Sequence, residues 1–262
     1  MKKNNYWAKR IARAQTAISN KNIKQTQKQL EKYYATTMKK VISDFEATYD
    51  KLLATLGEGK QPTPADLYKL DKYWQAQAQL RQELEKLGNK TVVALSKNFE
   101  TNFFEIYYSF SLEGKQAFNK IDKAVANQMI NQIWVADGLT YSQRVWKNTD
   151  RLLATLNEQL IACVVSGKKT SELKKALQER FNVSYNRANT LVRTEIVHIQ
   201  TEAARKRYED YGIRYVEVLV DEDDHTCEKC KDLNGKRFPV SAVSPLPVHP
   251  NERCCLIPVI ND

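Results

Sequence analysis

Over residues 5–56 apolar side chains recur at three- and four-residue steps. Tyr6, Trp7, Ile11, Ala14 and Ile18 are followed by Ile23, Leu30, Tyr33 and Tyr34, then by Met38, Ile42, Phe45 and Leu52. That is the period of one face of an α-helix, and neither glycine nor proline interrupts it. The pattern breaks at Gly57-Glu58-Gly59-Lys60-Gln61-Pro62 and restarts at Thr63-Pro64-Ala65-Asp66. Thr63 suits an N-cap. Pro64 suits the first helical position, where its missing N–H would be unbonded anyway, and Asp66 favours the positive end of the helix dipole. The pattern predicts a helix to about Leu87, a stop at Gly88-Asn89, and another helix from about Thr91 to Leu112. The aromatics of that second helix, Phe99, Phe103, Phe104, Tyr107, Tyr108 and Phe110, have core spacing.

A helix near residues 115–133 and a turn at Asp137-Gly138 complete the first region. Helical periodicity resumes at Ser142 and runs to about Val165, where Gly167 ends it. A short helix capped by Thr170 reaches Arg180, with Leu173, Leu177 and Phe181 on one face. Ser184 is placed to cap the next, about 185–210, which ends at Gly212. From Arg214 to Val220 the period switches to two and β-branched residues dominate, which predicts a strand. Asn234-Gly235 is a hairpin-turn signal. The expected fold class is α+β, mostly α. A long helical N-terminal region, 1–138, precedes a region, 139–262, in which helices lead into a small β-rich unit.

The 262 residues carry 41 Lys and Arg against 31 Asp and Glu, a formal net charge of +10. This balance favours contact with a polyanion or an acidic surface, so DNA binding without sequence preference is an expectation. Lys21, Lys24, Lys28, Lys32, Lys39 and Lys40 line the first helix, where the alternative is an ordinary solvated face. The first residues are basic but lack the apolar core of a secretory signal. The run Ile161-Ala162-Cys163-Val164-Val165 is far too short to span a bilayer, so no membrane partner is expected. Five cysteines, an odd number, argue against a disulfide framework and for a reducing compartment. The chain has no Walker A loop, no dinucleotide-binding glycine pattern and no Gly-x-Ser-x-Gly elbow.

Chemistry concentrates in residues 221–258, which hold four of the five cysteines and two of the three histidines. Cys227 and Cys230 have the C-x2-C spacing, which lets one tight turn aim two sulfurs at one point. His249 and Cys254 arrive later as a second pair. Zn²⁺ takes four soft or borderline ligands in a tetrahedron, so Cys227, Cys230, His249 and Cys254 form a candidate structural zinc set. Cys255 competes with Cys254 for the fourth position. A redox pair shares the C-x2-C spacing. Pro245, Pro247 and Pro250 stiffen the connection that returns His249 toward the first pair.

These motifs together resemble the C-terminal domain of the phage minor head proteins, the Mu F-like head-morphogenesis family. The residues that carry the resemblance are Arg193-Thr194-Glu195, Asp224-His225-Thr226-Cys227-x2-Cys230, Leu233-Asn234-Gly235-Lys236 and His249-Pro250-Asn251-Glu252-Arg253-Cys254. The first of these is a structural hallmark of the family. Glu252 stands where the family usually has the first cysteine of its closing motif, so the fourth ligand would be Cys254, Cys255 or the Glu252 carboxylate. The resemblance covers about the second half of the chain. It implies a non-enzymatic virion component, made in the host cytoplasm and packaged inside the head. The implied partners are the portal protein, a scaffold or major capsid protein, and packaged DNA.

Two other classes remain open on the residues themselves. One is a zinc-containing nucleic-acid-binding module outside a virion. The other is a metal-dependent hydrolase built on Glu195-x-x-His198 with Glu202 one turn on, for which a second such pair would be needed from another helix. Glu222-x-x-His225 has the spacing but lies in an acidic turn. Residues 1–56, rich in Tyr and Trp, are expected to supply the contact to portal or scaffold.

Overall fold

The computed structural model describes residues 2–56, 62–111, 120–221 and 226–260, with the side chains of 2–6 excepted. The break at 57–61, the start of the helix expected near 115 and the acidic run 222–225 with His225 lie outside the described residues. Among the described residues, seven helices and three strands follow in the order α1 (Lys2–Leu56), α2 (Pro64–Tyr68), α3 (Asp71–Ser109), α4 (Lys123–Ile130), α5 (Tyr141–Val165), α6 (Thr170–Asp210), β1 (Tyr215–Val220), α7 (Glu228–Leu233), β2 (Arg237–Pro239) and β3 (Cys254–Pro258). The α+β, mostly α expectation holds.

Two predicted helix stops are absent. Gly88-Asn89 does not end a helix, because α3 runs through it. A Cβ on Gly88 would lie 2.7 Å from Cζ3 of Trp146, so this glycine makes room for an indole ring within a helix. Ser184 caps nothing, because α6 is one helix from Thr170 to Asp210. Buried Ser184 instead accepts from Asn148 Nδ2 through its hydroxyl and its carbonyl, both at 2.9 Å. Thr63 and Asp66 do form a capping box, but the helix they start is only α2. The glycines that stop helices have positive φ. Gly167, φ +59, follows α5, with Lys168 N–H on Cys163 O at 3.0 Å. Gly212, φ +70, follows α6, with Ile213 N–H on Tyr208 O at 2.9 Å.

The chain divides into two compact units that interleave in sequence. One comprises 28–94 and 142–189, the other 1–27, 95–141 and 190–262. Among its described residues the first holds helices and no strand. Leu30, Phe45 and Leu52 of α1, Leu80 and Leu84 of α3, Leu156 and Leu160 of α5, and Leu177 and Phe181 of α6 are buried in it. Its polar ties run from tyrosines. Tyr49 donates to the Lys168 carbonyl, and Tyr73 donates to Asn157 Oδ1 at 2.9 Å.

The second unit holds the sheet, ordered β2-β1-β3, with β1 antiparallel to both neighbours. Val216, Val218 and Val220 alternate inward from β1, and every residue of β3 is buried. Asn234-Gly235 does not join two strands. Asn234 ends α7, and Gly235, φ +77, turns the chain into β2 while its N–H bonds Val218 O at 2.8 Å. Helix α1 meets this unit through a face that the aliphatic pattern does not mark. Ala12, Gln15, Ser19, Asn22 and Thr26 are buried, while Trp7 and Ala14 are exposed. Gln15 donates to Tyr208 at 2.8 Å; Ser19 and Asn22 both donate to Asn102 Oδ1. Ala12 packs with Cys255 and Ile257 of β3.

Candidate metal centre

Cys227 is the N-cap of α7, and its carbonyl accepts from the Cys230 and Lys231 N–H groups at 3.1 and 3.0 Å. One turn of helix thereby brings the two sulfurs to 3.3 Å, and His249 Nε2 lies 3.0 Å from Cys230 Sγ. His249 Nδ1 donates to the Pro250 carbonyl at 3.0 Å, which leaves the Nε2 lone pair facing the sulfurs. The donor atoms of Cys227, Cys230 and His249 all lie within 4.8 Å of one another. Two soft sulfurs and an imidazole nitrogen on a half-exposed rim are a donor set that fits zinc.

The electrostatics are those of ligands held together. Cys227 ionises more readily than an ordinary thiol, chiefly because the Cys230 N–H points at its sulfur. The Cys230 thiol is pushed up to about 12, first by burial and then by Cys227 and Glu252 beside it. His249 is pulled up, first by its bond to the Pro250 carbonyl. Of the two sulfurs, Cys227 is the first to become a thiolate.

The remaining ligand candidates separate. Cys254 and Cys255 are successive residues of β3, paired with Val220 and Leu219, so they face opposite sides of the sheet. Cys255 belongs to the apolar cluster with Ala12 and Ile257. Cys254 lies on the other side, deeply buried, its thiol pushed well up by burial and by Glu252, Cys255 and Cys230. It is not one of the three converging residues. Glu252 is buried, and its Oε2 accepts from the Val248 N–H.

Arg193, Thr194 and Glu195 have three different surroundings. Arg193 is exposed. Thr194 Oγ1 accepts from the Asn251 N–H at 3.3 Å and so ties α6 to the loop between His249 and Cys254. Glu195 is buried and accepts from Trp134 Nε1 at 3.0 Å. Trp134 stacks on His198 with ring centroids 4.0 Å apart. His198 Nδ1 donates to the Leu246 carbonyl at 2.7 Å, and its Nε2 faces the Gln132 amide at 3.2 Å. Glu202 is held by Arg205 at 2.7 Å. The Glu195-x-x-His198 pair therefore knits α6 to the segments 131–140 and 241–250. Among the described residues it does not join a group of converging ligands. Trp134 and Gln132 complete this cluster; only a Trp in a non-helical stretch marked them in the sequence.

Residues 154–257 match the family described as Phage Mu protein F like protein. The match spans α7, the metal-ligand candidates and all three strands, and it agrees with the motif resemblance over that segment. It supports a phage head-related protein and association with the virion. A curated relative, the NAD(+)--arginine ADP-ribosyltransferase EFV of Enterococcus faecalis (strain ATCC 700802 / V583), is 26% identical over 163 residues, 58% of this chain. The chain spans about a third of that relative's length, 32%. No solved structure matches. Among the described residues no helix is long and apolar enough to cross a membrane.

Proposed function

We propose that this chain is a minor head protein of a tailed phage or prophage, a non-enzymatic component recruited during procapsid assembly. The observation that carries the reading is the Mu F-like match over 154–257, the segment that also contains the Cys227–Cys230–His249 cluster. Portal, scaffold or major capsid protein are the partners in this reading, and packaged DNA is met through the basic surface. Lys24, Lys28, Lys32 and Lys39 of α1 are exposed and available to phosphate.

Zinc is the proposed cofactor, with a structural role. Bound zinc would supply folding free energy, on the order of 10–16 kcal/mol for small structural sites, and no catalysis. Cys227 and Cys230 would hold it from α7, and His249 from the loop that precedes β3. The residues between β1 and β3 would then be fastened at two points of the chain.

Residues 1–56 are not a separable docking arm in this reading. Ala12 and Gln15 belong to the core that includes Cys255, Ile257 and Tyr208. Removal of α1 would expose that core, so a docking role for α1 falls to its outward face, where Trp7 is 52% exposed with Arg10 over its ring.

The test is affinity capture with the tagged portal protein of the same genome. The full chain is expected to be retained, and a Trp7→Ala, Arg10→Ala variant to be retained less. Absence of retention on portal, scaffold and major capsid protein alike would refute the assembly role. The name of the enterococcal relative raises ADP-ribosyl transfer as the catalytic alternative. Label transfer from NAD to arginine by the purified chain would establish it.

A further inference from the structure

The metal reading above leaves the fourth ligand open, and we infer that it is Glu252. The site of this chain is then Cys227, Cys230, His249 and Glu252, with Cys254 outside it. The inference rests on the proposed metal site and concerns what this chain places at that corner.

Glu252 is 4% exposed. An ionised carboxylate so buried requires partners for both oxygens. Oε2 has the Val248 N–H, whereas Oε1 is enclosed and has no hydrogen-bond partner among the described residues. Cys230 and Cys254 lie beside the carboxylate, and His249 is close enough to feel its charge. A divalent cation held by the two sulfurs and His249 would give Oε1 a partner.

The local backbone brings Glu252 to this place. Asn251 has φ +64, a conformation that Asn tolerates better than most residues. The Glu252 N–H bonds the His249 carbonyl at 3.4 Å, which closes a turn with His249 and Glu252 at its ends. Thr194 of α6 holds the Asn251 N–H from outside. The turn thus places His249 and Glu252 at its two ends, and the Glu252 carboxylate, like the Cys254 thiol, lies outside the three donor atoms that converge and would join them on metal binding.

Cys254 is built differently. It is fixed in the ladder opposite Val220, and its carbonyl accepts from Gln200 Nε2 at 3.2 Å. It is held from two directions at the start of a strand. The substitution of a hard oxygen for a sulfur leaves two thiolates, so the site should prefer zinc over softer thiophilic ions more strongly than a three-thiolate site does.

The experiment is metal-edge X-ray absorption on the full chain loaded with Zn²⁺. Sulfur shells fall near about 2.3 Å, and nitrogen or oxygen shells near about 2.0–2.2 Å. The wild type should show two sulfurs and two light atoms. Cys254→Ser should leave spectrum and stoichiometry unchanged, and Glu252→Cys should show three sulfurs. Glu252→Gln should lose about tenfold or more in affinity in a chelator competition, since even outer-shell changes cost 10–100-fold. If Glu252→Gln fails to fold, the wild-type and Glu252→Cys spectra still decide. Three sulfurs in the wild type, reduced to two by Cys254→Ser, would overturn the assignment of Glu252 and leave the metal site standing. An unchanged affinity in Glu252→Gln would overturn it as well. Failure of the wild type to bind Zn²⁺, or binding unaffected by Cys227→Ser, would instead overturn the metal site itself.

Discussion

Gly88→Ala should destabilise the protein even though alanine is the better helix former. Gly88 lies inside α3, where replacing it by alanine ordinarily gains about 1 kcal/mol. Here the new Cβ would meet Cζ3, Cη2 and Cε3 of Trp146 at 2.7, 2.9 and 3.1 Å. Those are atoms of a rigid ring, so the indole must move as a body. Overpacking of that kind costs about 1–3 kcal/mol. The net expectation is a loss of about 1 kcal/mol, within a range of about 0–2 from the same two figures. Trp146→Leu removes the ring. In that background Gly88→Ala should gain about 1 kcal/mol, so the sign of its effect reverses. The double-mutant cycle then gives a coupling of about 1–3 kcal/mol, measured by urea denaturation followed by circular dichroism. A gain from Gly88→Ala in the wild type, equal to that in the Trp146→Leu background, would mean that the ring does not sit over the glycine and that the explanation is wrong.

Other consequences are as direct. Trp134→Phe removes the indole N–H that Glu195 accepts from in the core and should lower stability by about 1–3 kcal/mol in thermal or urea unfolding; an effect near zero would show that the bond carries nothing. Tyr107 is raised to about 12, chiefly by burial and then by its bond to Asp210. An acid whose folded pKa is raised contributes stability below its unfolded value near 10, and that stability is lost as pH rises through about 12. Tyr107→Phe should therefore flatten the alkaline fall in stability between those limits, which a pH series of melting temperatures would register. Glu83 is lowered, first by its bond to Lys40 and then by Lys86. Its contribution is present above the ordinary carboxylate range and disappears as pH falls through its folded pKa, so Glu83→Gln should soften the acid limb of the same series. DNA affinity should fall with salt by about 0.9 log units per log unit for each phosphate neutralised, without preference among duplex sequences; binding indifferent to salt would contradict the electrostatic reading.

The sequence was most legible where one physical rule acts alone. Gly167 and Gly212 end helices because only a residue at ease with positive φ closes those turns. Val216, Val218 and Val220 point inward because a strand has period two. C-x2-C at a helix start brings two sulfurs together through local geometry. Legibility failed where distant residues decide. Gly88 carries the same letter as a helix stop, and only the approach of Trp146 distinguishes it. The face of α1 between Ala12 and Thr26 is buried although it is polar, because Asn102 and Tyr208 satisfy it. Periodicity of aliphatic side chains cannot reveal a seam made of hydrogen bonds. For the candidate site, spacing brought out Cys227, Cys230 and His249, but Cys254 and Glu252 are told apart only by the pairing of Cys254 in β3 and by the unpartnered oxygen of Glu252.

The central claim is that this chain is a component of a phage head. It is tested most directly by quantitative mass spectrometry of particles from the phage or prophage that encodes it, purified and treated with protease and nuclease before disruption. The account predicts a few copies per particle, protected from the protease, in full heads and in procapsids alike. Absence from both kinds of particle, with the protein abundant in the lysate, would contradict it.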